Sequence, residues 1–231
     1  MIITFASPKG GAGKTTSIVT AAVELARRGN SVLCLDCDQE NFLYKWAGRR
    51  DEQVEDGAEI PKVVVKNCAM LGQVTEKIEK YAEKYDYIFI DTPGFDSGSN
   101  RDAILASHLV VFPSKPGGFD IDSIPKINAL SAQAAQIRPD IQCYLMPVDL
   151  DTNASRIETD LDFFEGIAER LEHVHLFPAY TQHRSAYIDA SKMGLGPQEM
   201  NNAKATAESK EIGDGIQEIE NALIDALEGA E

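Results

Sequence analysis

The chain has 231 residues, of which 43% are hydrophobic and 26% charged, and its formal net charge at pH 7 is −15. This length and composition are typical of a globular protein with a sizeable core, and they predict a single domain over residues 1–231. No apolar run approaches the ~18–20 residues of a membrane span. The N-terminus lacks the basic leader of a signal peptide, so we expect a cytoplasmic protein. The acidic balance argues against a constitutively basic nucleic-acid surface, but not against a local basic patch formed where two chains meet.

Seven apolar runs predict β-strands at residues 2–6, 31–36, 62–67, 85–91, 108–113, 142–147 and 174–179. Several are apolar almost throughout, which is typical of parallel strands covered on both faces. Helical patterns lie between them, at residues 14–28, 70–84, 98–106, 121–136 and 156–172. This alternation predicts an α/β fold with a doubly wound, mainly parallel sheet.

Two further segments have a distinct composition. Residues 49–61, "RRDEQVEDGAEIP", are polar and predict an exposed loop. The tail "EIGDGIQEIENALIDALEGAE" predicts an amphipathic helix packed on the body of the protein, because its apolar residues recur at helical spacing. These residues are Ile212, Ile216, Ile219, Leu223 and Leu227. A helix lying on a membrane surface would carry Lys and Arg on its polar face, and this tail has none after Lys210.

The four cysteines, Cys34, Cys37, Cys68 and Cys143, fit reduced thiols in a reducing compartment. Cys34 and Cys37 have the C-x-x-C spacing of redox and metal pairs. They lie in the apolar run "SVLCLDCD", however, and residues three apart in a strand point to opposite faces. We therefore favour unpaired cysteines in or beside a core strand. The sequence "HVH" at 173–175 has no further clustered ligand, and we expect no metal there.

A phosphate-binding loop is predicted between the first strand and the first helix, in "ASPKGGAGKTTS". Gly13, Lys14 and Thr15 close the motif G-x-x-x-x-G-K-[ST], although Pro8 stands where its first glycine belongs. Backbone N–H groups and the helix N-terminus would bind phosphate. Lys14 would contact the β- and γ-phosphates, and the Thr15 hydroxyl would bind Mg²⁺. The predicted nucleotide-binding residues are Lys9, Gly10, Gly11, Ala12, Gly13, Lys14, Thr15 and Thr16.

Carboxylates follow two other predicted strands. Asp36 and Asp38 end "LCLDCD", and Asp91 ends "YIFID", where a carboxylate would hold Mg²⁺ through water. The carboxyl ends of strands meet at one edge of an open α/β sheet, where ligands bind. A glycine turn without nucleotide is the alternative for an isolated motif. The carboxylates at the other strand ends favour a nucleotide site over that alternative, and in this site Thr15, Asp36 and Asp91 would bind the metal.

The segment "KGGAGKTT" resembles the deviant Walker A sequence of the ParA/MinD family of ATPases, whose additional signature lysine falls at Lys9. The resemblance implies a SIMIBI-like P-loop NTPase fold and a dimer that encloses two ATP molecules face to face. Lys9 would reach the partner's nucleotide and, like an arginine finger, neutralise charge that develops during phosphoryl transfer. The resemblance thus implies catalytic roles for Lys9, Lys14 and Asp38, with Asp38 orienting the attacking water.

The resemblance continues along most of the chain. "VLCLDCDQENFLYKWAGRR" is similar to the family's Asp-x-Asp-Pro-Gln stretch, which leads into a helix that often has a tryptophan, here Trp46. "DTPG" resembles switch II, and "HLVVFPSKPGGFDID" the strand that precedes a downstream aspartate, here Asp120. "PAYTQHRSAYIDASKMGLG" resembles the C-terminal pattern, which implies a place near the nucleotide or the interface for Arg184. For Tyr187 we favour packing over ligand contact, because tyrosine is commonly a partly buried residue.

Two positions depart from the family pattern. Gln39 replaces the usual proline after Asp38, and switch II reads Pro93-Gly94 where two prolines are common. We therefore expect slow hydrolysis. The first strand begins at residue 2, as in small ParA proteins without an N-terminal helix-turn-helix domain. Residues 91–128 are most similar to plasmid-borne members, including those that act beside conjugative DNA-transfer machinery.

The resemblance implies an ATP-dependent homodimer that binds DNA without sequence preference. A ParB-like or relaxosome-type adaptor would stimulate hydrolysis and release, and the ATP-bound protein would associate with the nucleoid. Arg49, Arg50, Lys192 and Lys204 are candidates for DNA contact, with solvated surface charge as the alternative. The acidic balance predicts weak, salt-sensitive binding.

Three other function classes share this fold and stay open. A MinD-like membrane-cycling regulator would need a basic amphipathic C-terminus, which the acidic tail disfavours. A nitrogenase-iron-protein-like electron donor would need clustered cysteines, and a dethiobiotin-synthetase-like enzyme would need a substrate pocket. An ATP-binding scaffold that hydrolyses slowly and recruits transfer machinery is kept open by Gln39.

Overall fold

The computed structural model describes residues 1–68, 73–94, 98–117 and 122–229. Within these ranges the strands are β1 (Ile2–Phe5), β2 (Val32–Asp36), β3 (Val64–Asn67), β4 (Tyr87–Asp91), β5 (Leu109–Ser114), β6 (Gln142–Pro147) and β7 (His175–Leu176). The helices are α1 (Lys14–Arg27), α2 (Phe42–Glu55), α3 (Gln73–Tyr81), α4 (Gly98–Ala106), α5 (Ile124–Ile137), α6 (Ala154–Ala168), α7 (Ser185–Met193) and α8 (Ala203–Glu228), with a 3₁₀ turn at Pro197–Glu199.

The strands form one sheet in the order β3-β2-β4-β1-β5-β6-β7, and every neighbouring pair is parallel. The predicted α/β class and parallel sheet are therefore confirmed. Asp91 at the end of β4 is the register partner of both Phe5 on β1 and Asp36 on β2. Three strand ends thus meet at one edge, and this edge carries the residues that the sequence assigns to the nucleotide and its metal.

Helices cover both faces of the sheet, because successive strand residues point in opposite directions. Ile3 and Phe5 pack in the same cluster as buried residues of α1 and α8, whereas Ile2 packs in the cluster that contains Val74 of α3. Cys34 belongs to the first of these clusters. Cys37 and Cys68 belong to the second, so Cys34 and Cys37 face opposite sides as predicted.

The four cysteines are buried and free of disulfides. The thiols of Cys37 and Cys68 are nevertheless hydrogen-bonded to each other, and this bond, together with burial, raises the pKa of Cys37. That pair was not expected from the sequence, because the two residues are separated by a whole β–α–β unit. They meet because Asp36 and Asn67, the residues before them, are register partners on adjacent strands.

The predicted exposed loop at residues 49–61 is wrong in its first half, because α2 continues to Glu55. Within α2, Arg50 is 3% exposed, and its guanidinium donates to Glu199 and to the carbonyl oxygens of Pro61 and Gly194. A charge paired in this way can be buried. Arg50 therefore faces the protein interior, although it lies in a polar stretch of the sequence.

Two C-terminal features differ from the prediction as well. Helix α7 was not predicted, and α8 begins at Ala203, earlier than its apolar periodicity indicated. Ile212, Ile216 and Ile219 are buried as expected, but Leu227 is 69% exposed. The helix predicted over residues 70–84 is present as α3, while residues 69–72 and Asp120 lie outside the described part of the chain. None of the helices in the described ranges is long and apolar enough to span a membrane.

Candidate functional site

The loop between β1 and α1 has the backbone of a phosphate-binding loop. Gly11 and Gly13 have positive φ angles of 76° and 96°, a conformation that only glycine adopts without strain. No side chain caps the N-terminus of α1, so its first N–H groups are available to an anion. Gly10, Gly11 and Thr16 are exposed, Ala12 and Lys14 are buried, and Lys9, Gly13 and Thr15 are half-buried.

Lys14 is a buried cation at the start of α1, with 7% of its surface exposed. Desolvation lowers the pKa of its ammonium group, while the negative charges of Asp91 and Asp38 act in the opposite direction. The structure therefore brings together Lys14, Asp38 and Asp91, which come from three different strand–helix units. A buried ammonium beside a phosphate loop is suited to bind phosphate oxygens.

Thr15 and Asp91 are the two predicted metal ligands that lie in direct contact. The Thr15 hydroxyl donates a 2.6 Å hydrogen bond to Oδ2 of Asp91. Oδ1 of Asp91 is buried and has no hydrogen-bond partner among the described residues. Oxygen ligands of this kind, one of them unsatisfied, fit Mg²⁺, which prefers a few protein oxygens and several waters. When bound here, Mg²⁺ would neutralise phosphate charge.

Asp36, the third predicted ligand, is fully buried but engaged differently. Its Oδ1 accepts the backbone N–H of Asp38 at 3.2 Å, and its Oδ2 accepts that of Tyr44 at 2.8 Å. Burial raises the pKa of this carboxyl group, and these hydrogen bonds oppose the rise. In the described residues Asp36 thus fixes the loop that leads into α2, and a role as metal ligand stays a prediction. No group of three or more His, Cys, Asp or Glu side chains suited to a metal occurs in the same part of the chain.

Asp38 lies in that loop and is half-buried, with its Oδ1 accepting the backbone N–H of Glu40 at 3.0 Å. Its charge contributes to the pKa values of both Lys14 and Asp91, which places it at the phosphate end of the site. The role of Asp38 in orienting water stays a prediction. The neighbouring Gln39 is exposed, and nothing in the structure explains its replacement of proline.

Burial raises the pKa of Asp91 to about 7, with the Thr15 hydrogen bond and Lys14 opposing the rise. Because the unfolded-state pKa is lower, about 3.9, protonated Asp91 stabilises the fold at low pH, and this contribution is lost as the pH rises from about 4 through about 7. Asp91→Asn stays neutral. In Mg²⁺-free buffer it should therefore stabilise the protein more at pH 8 than at pH 5, by on the order of 2 kcal/mol. Urea unfolding at both pH values measures this, and an equal effect at both would contradict it.

Gly94 explains the departure from the usual Pro-Pro of switch II. A Cβ atom at this position would lie 2.6 Å from the backbone nitrogen of Gly10 and 2.9 Å from the carbonyl carbon of Lys9. The segment after β4 therefore rests directly on the loop that carries the signature lysine. Proline at 94 would collide with that backbone.

Gly94→Ala is expected to lower the free energy of unfolding by about 1–3 kcal/mol, the usual range for overpacking, because the opposing atoms belong to the backbone. Gly48→Ala is the matched control, since a Cβ there meets nothing within 4 Å. Its position in α2 should make alanine neutral or stabilising. Equal unfolding midpoints for Gly94→Ala and the parent in chemical denaturation would exclude the close contact.

A cavity of about 320 Å³ adjoins the phosphate loop on the side of β6. Gly13 and Thr16 form its loop side, and Asp149 and Thr181 its far side. The Asp149 carboxylate pairs with Lys115 at 2.9 Å and with His183 at 2.8 Å, and its backbone N–H donates to the Thr181 hydroxyl. Sequence reasoning missed Asp149 and Thr181. A signal for Asp149 was present in "PVDLD", because an aspartate that follows β6 lies at the same edge of the sheet as the phosphate loop.

Arg184 and Tyr187 line the same cavity. Both donate to Glu208 of α8, Arg184 Nε at 2.5 Å and the Tyr187 hydroxyl at 2.7 Å. Arg184 therefore lies beside the phosphate loop, where the resemblance placed it. Trp46 is 2% exposed and donates to the carbonyl oxygen of Leu195, which makes it a core residue.

The four candidate DNA contacts have different environments. Arg50 is buried in its pair with Glu199, so its interpretation as a surface charge or DNA contact is wrong. Arg49 donates to the Ser191 carbonyl oxygen, and Lys192 pairs with Asp189 at 3.0 Å. Lys204 is exposed at the start of α8. Arg49 and Lys192 therefore lie close together, because Ser191 directly precedes Lys192.

Comparison with solved structures agrees with this architecture. A plasmid partition protein from Borrelia burgdorferi bound to AMPPNP is 17% identical, with a TM-score of 0.69 over 94% of this chain and 98% of that one. The cell division ATPase MinD from Pyrococcus furiosus is 20% identical, with a TM-score of 0.70 over 94% and 98% of the two chains. At these identities the similarity shows the fold, and it confirms the prediction of a P-loop NTPase of the ParA/MinD type.

Sequence comparisons identify the branch. Protein virC1 from Rhizobium radiobacter is 26% identical over 84% of this chain and 81% of its own length. Protein ParA from the same organism is 34% identical over 52% of this chain, and the match spans only 50% of that relative's length. The family described as VirC1 protein matches residues 1–227. The chain therefore belongs to the VirC1 family, within the plasmid-partition branch of the ParA/MinD ATPases.

Proposed function

We propose that this chain is a slow, ATP-dependent ATPase that dimerises on ATP and positions or partitions DNA, as in plasmid segregation or a DNA-transfer complex. The observation that carries the proposal is the convergence of Lys14, Thr15 and Asp91 beneath an uncapped helix N-terminus, with an unsatisfied buried carboxylate oxygen. Phosphoryl transfer depends on such positioned charges and not on covalent chemistry by the protein.

The nucleotide would extend from the phosphate loop into the neighbouring cavity. The triphosphate would lie on Gly10–Thr16, and the cavity bordered by Asp149 and Thr181 would hold the nucleoside. In this pose Thr15 and Asp91 hold Mg²⁺, directly or through water. Asp38, on the adjacent strand end, would orient the attacking water toward the γ-phosphate.

Dimerisation and hydrolysis would be linked through Lys9. A lysine supplied by the partner subunit stabilises transition-state charge only when two chains face each other, so hydrolysis would require the dimer. DNA binding without sequence preference would belong to the ATP dimer. A ParB-like or relaxosome-type adaptor would stimulate hydrolysis and release the protein from the nucleoid.

A second candidate is an ATP-binding scaffold that hydrolyses very slowly and recruits DNA-transfer or other protein machinery. The observation that favours it is Gln39, an exposed residue next to Asp38 that departs from the family pattern. A MinD-like positioning regulator would need a basic amphipathic face for the membrane surface, and α8 has no Lys or Arg between Lys210 and its last residue, Glu228.

The test is DNA binding by Asp38→Ala protein with ADP and with ATP·Mg²⁺, at low and at physiological salt. Loss of the water-orienting carboxylate should trap the ATP dimer, and binding of duplex DNA should appear only with ATP. Dimers that form with ATP but bind no DNA at either salt would refute DNA positioning and favour the scaffold.

A further inference from the structure

Four lysines form a cluster at one edge of the sheet. Lys66 lies on β3, the edge strand, and Lys77 and Lys80 lie on α3, while Lys84 lies in the turn that follows. Lys80 and Lys84 are exposed, and Lys66 and Lys77 are half-buried. In a chain with a net charge of −15, such a concentration of positive charge is a distinct surface. We call it the lysine cluster.

The cluster is organised around one aromatic ring. The ammonium nitrogens of Lys66, Lys80 and Lys84 lie 5.3, 5.5 and 5.9 Å from the centre of the Tyr81 ring. Tyr81 itself is half-buried and packs against the core beside Tyr85. Each cation is attracted to the ring, but like charges gathered around one ring repel one another. A polyanion would relieve that repulsion.

The protein supplies little counter-charge at this point. In the described ranges, no carboxylate forms an ion pair with Lys66, Lys80 or Lys84, whereas surface lysines elsewhere do, as Lys192 does with Asp189. Glu76, Glu79 and Glu83 lie in the same segment, and Glu76 is one helical turn before Lys80, but none of them is within ion-pair distance of these three lysines in the part of the chain that the structure describes. Lys77 is directed toward the end of β3, where it donates to the Asn67 carbonyl oxygen.

The spacing of the lysines suits a phosphate backbone. The ammonium groups of Lys66, Lys80 and Lys84 all lie within 5.9 Å of the Tyr81 ring centre, so the three charges form a compact group. Phosphates on one strand of duplex DNA follow one another every ~3.4 Å along the axis, so a group of this size can contact about two or three of them. Lysines already surround the Tyr81 ring, which leaves it poorly placed to stack on a base. The chemistry therefore fits contact with phosphates, which carries no sequence information.

We propose that the lysine cluster of Lys66, Lys77, Lys80 and Lys84 is the surface by which this protein binds the phosphate backbone of duplex DNA. The inference rests on the proposed DNA-positioning function and assigns its contact surface to β3 and α3, and not to the candidates Lys192 and Lys204. The acidic remainder of the chain would repel DNA and so orient the protein by this edge.

The cluster also explains why binding would depend on ATP. One cluster offers few phosphate contacts, which gives weak binding at physiological salt. A dimer carries two clusters, and the second contact then becomes intramolecular, which strengthens binding without a new type of contact. The cluster is close to the Asp38 loop as well, because Asn67 donates to the side chain of Asn41 at the start of α2.

The experiment compares two triple variants in the ATP-trapped Asp38→Ala background with ATP·Mg²⁺. The first carries Lys66→Gln, Lys80→Gln and Lys84→Gln. The matched control carries Lys192→Gln, Lys204→Gln and Lys210→Gln, which lowers the net charge by the same three units. Fluorescence anisotropy with a labelled duplex of unrelated sequence is recorded over a salt series. A Lys80→Gln/Lys84→Gln double variant, at two exposed positions, guards against misfolding of the triple variant.

We expect the first triple variant to lose at least tenfold in DNA affinity at low salt. Because the dimer carries two clusters and so loses six lysines, its slope of log K against log salt should fall by about five, close to 0.9 per lost phosphate contact. The double variant should show a smaller loss in the same direction, and the control should bind like the background protein. Nucleotide binding and ATP-dependent dimerisation should be unchanged in all of them.

Two results would overturn the inference while the proposed function stands. In one, the control triple loses as much affinity as the cluster triple. In the other, the cluster variants bind DNA normally but lose binding to polyglutamate, which would make an acidic polypeptide the occupant. If the Asp38→Ala background itself forms ATP dimers that bind no DNA, the proposed function and the inference both fail.

Discussion

A Lys14→Ala variant is expected to lose at least about 100-fold in affinity for ATP. Lys14 is 7% exposed, and its ammonium group lies where burial opposes its charge while Asp91 and Asp38 favour it. A hydrogen bond to a charged group contributes up to about 3 kcal/mol, which corresponds to about 100-fold in affinity. Removal of the ammonium would also take away a positive charge that acts on Asp91 and Asp38, and the repulsion between these carboxylates and phosphate would add to the loss.

Isothermal titration calorimetry with ATP·Mg²⁺ and with ADP measures this effect. Lys14→Met is the matched variant, because methionine keeps an apolar side chain of similar length and removes only the charged end. Both variants should unfold cooperatively, and both should lose nucleotide binding. If either one bound ATP within threefold of the parent, Lys14 would not be the phosphate-binding lysine.

Lys9→Ala is expected to keep ATP binding within about threefold but to lower the rate of hydrolysis by 100-fold or more. Positive side chains supplied in trans raise the rate about 10³–10⁵-fold in related phosphoryl-transfer sites. The hydrolysis rate of a slow enzyme should therefore still decrease strongly when such a side chain is removed. Lys9 lies in the segment of the phosphate loop that rests against Gly94, outside the glycine turn itself. Its removal should therefore leave the turn that binds phosphate intact. Steady-state ATPase rates and sedimentation with ATP separate binding, dimerisation and turnover.

Mixing Lys9→Ala with Lys14→Ala protein tests whether Lys9 acts across the dimer. In a mixed dimer, the Lys9→Ala subunit can bind ATP, and the Lys14→Ala subunit still carries Lys9. Hydrolysis should then reappear in the mixture, up to about half of the parent rate per mixed dimer because each mixed dimer has one complete site, although neither variant is active alone. An inactive mixture in which mixed dimers are demonstrably present would show that Lys9 acts within its own subunit.

Gly94 and the backbone of Lys9 lie on the two sides of one close contact. Switch II rests on the backbone of Gly10 and Lys9, and the nearest approach of the missing Cβ is 2.6 Å. If nucleotide binding repositions Lys9, the contact between switch II and the phosphate loop must either move with Lys9 or leave room for its movement. The Pro-Gly departure is therefore a feature of how this chain packs its phosphate loop.

The class of fold and the chemistry of the phosphate end of the site could be predicted from the amino-acid sequence alone. Apolar runs and helical periodicity are local signals, so all seven strands were predicted, with ends within a few residues of those observed. The phosphate loop is equally local, because glycine, lysine and threonine at fixed spacing are required by the geometry of one turn. The family resemblance of Lys9 is also contained within eight consecutive residues.

Which charged residues are buried, and which lie together at the surface, depends on contacts between segments that are far apart in the sequence. Arg50 appears in a polar run, but its carboxylate partner, Glu199, is 149 residues away in sequence. Asp36 was expected to bind metal, yet its oxygens accept N–H groups that only the fold brings to it. The net charge of −15 gave no indication of the lysine cluster, because a sum of charges over the whole chain does not say where the charges lie. Burial and electrostatic interaction depend on distance in space, and sequence periodicity records only neighbours along the chain.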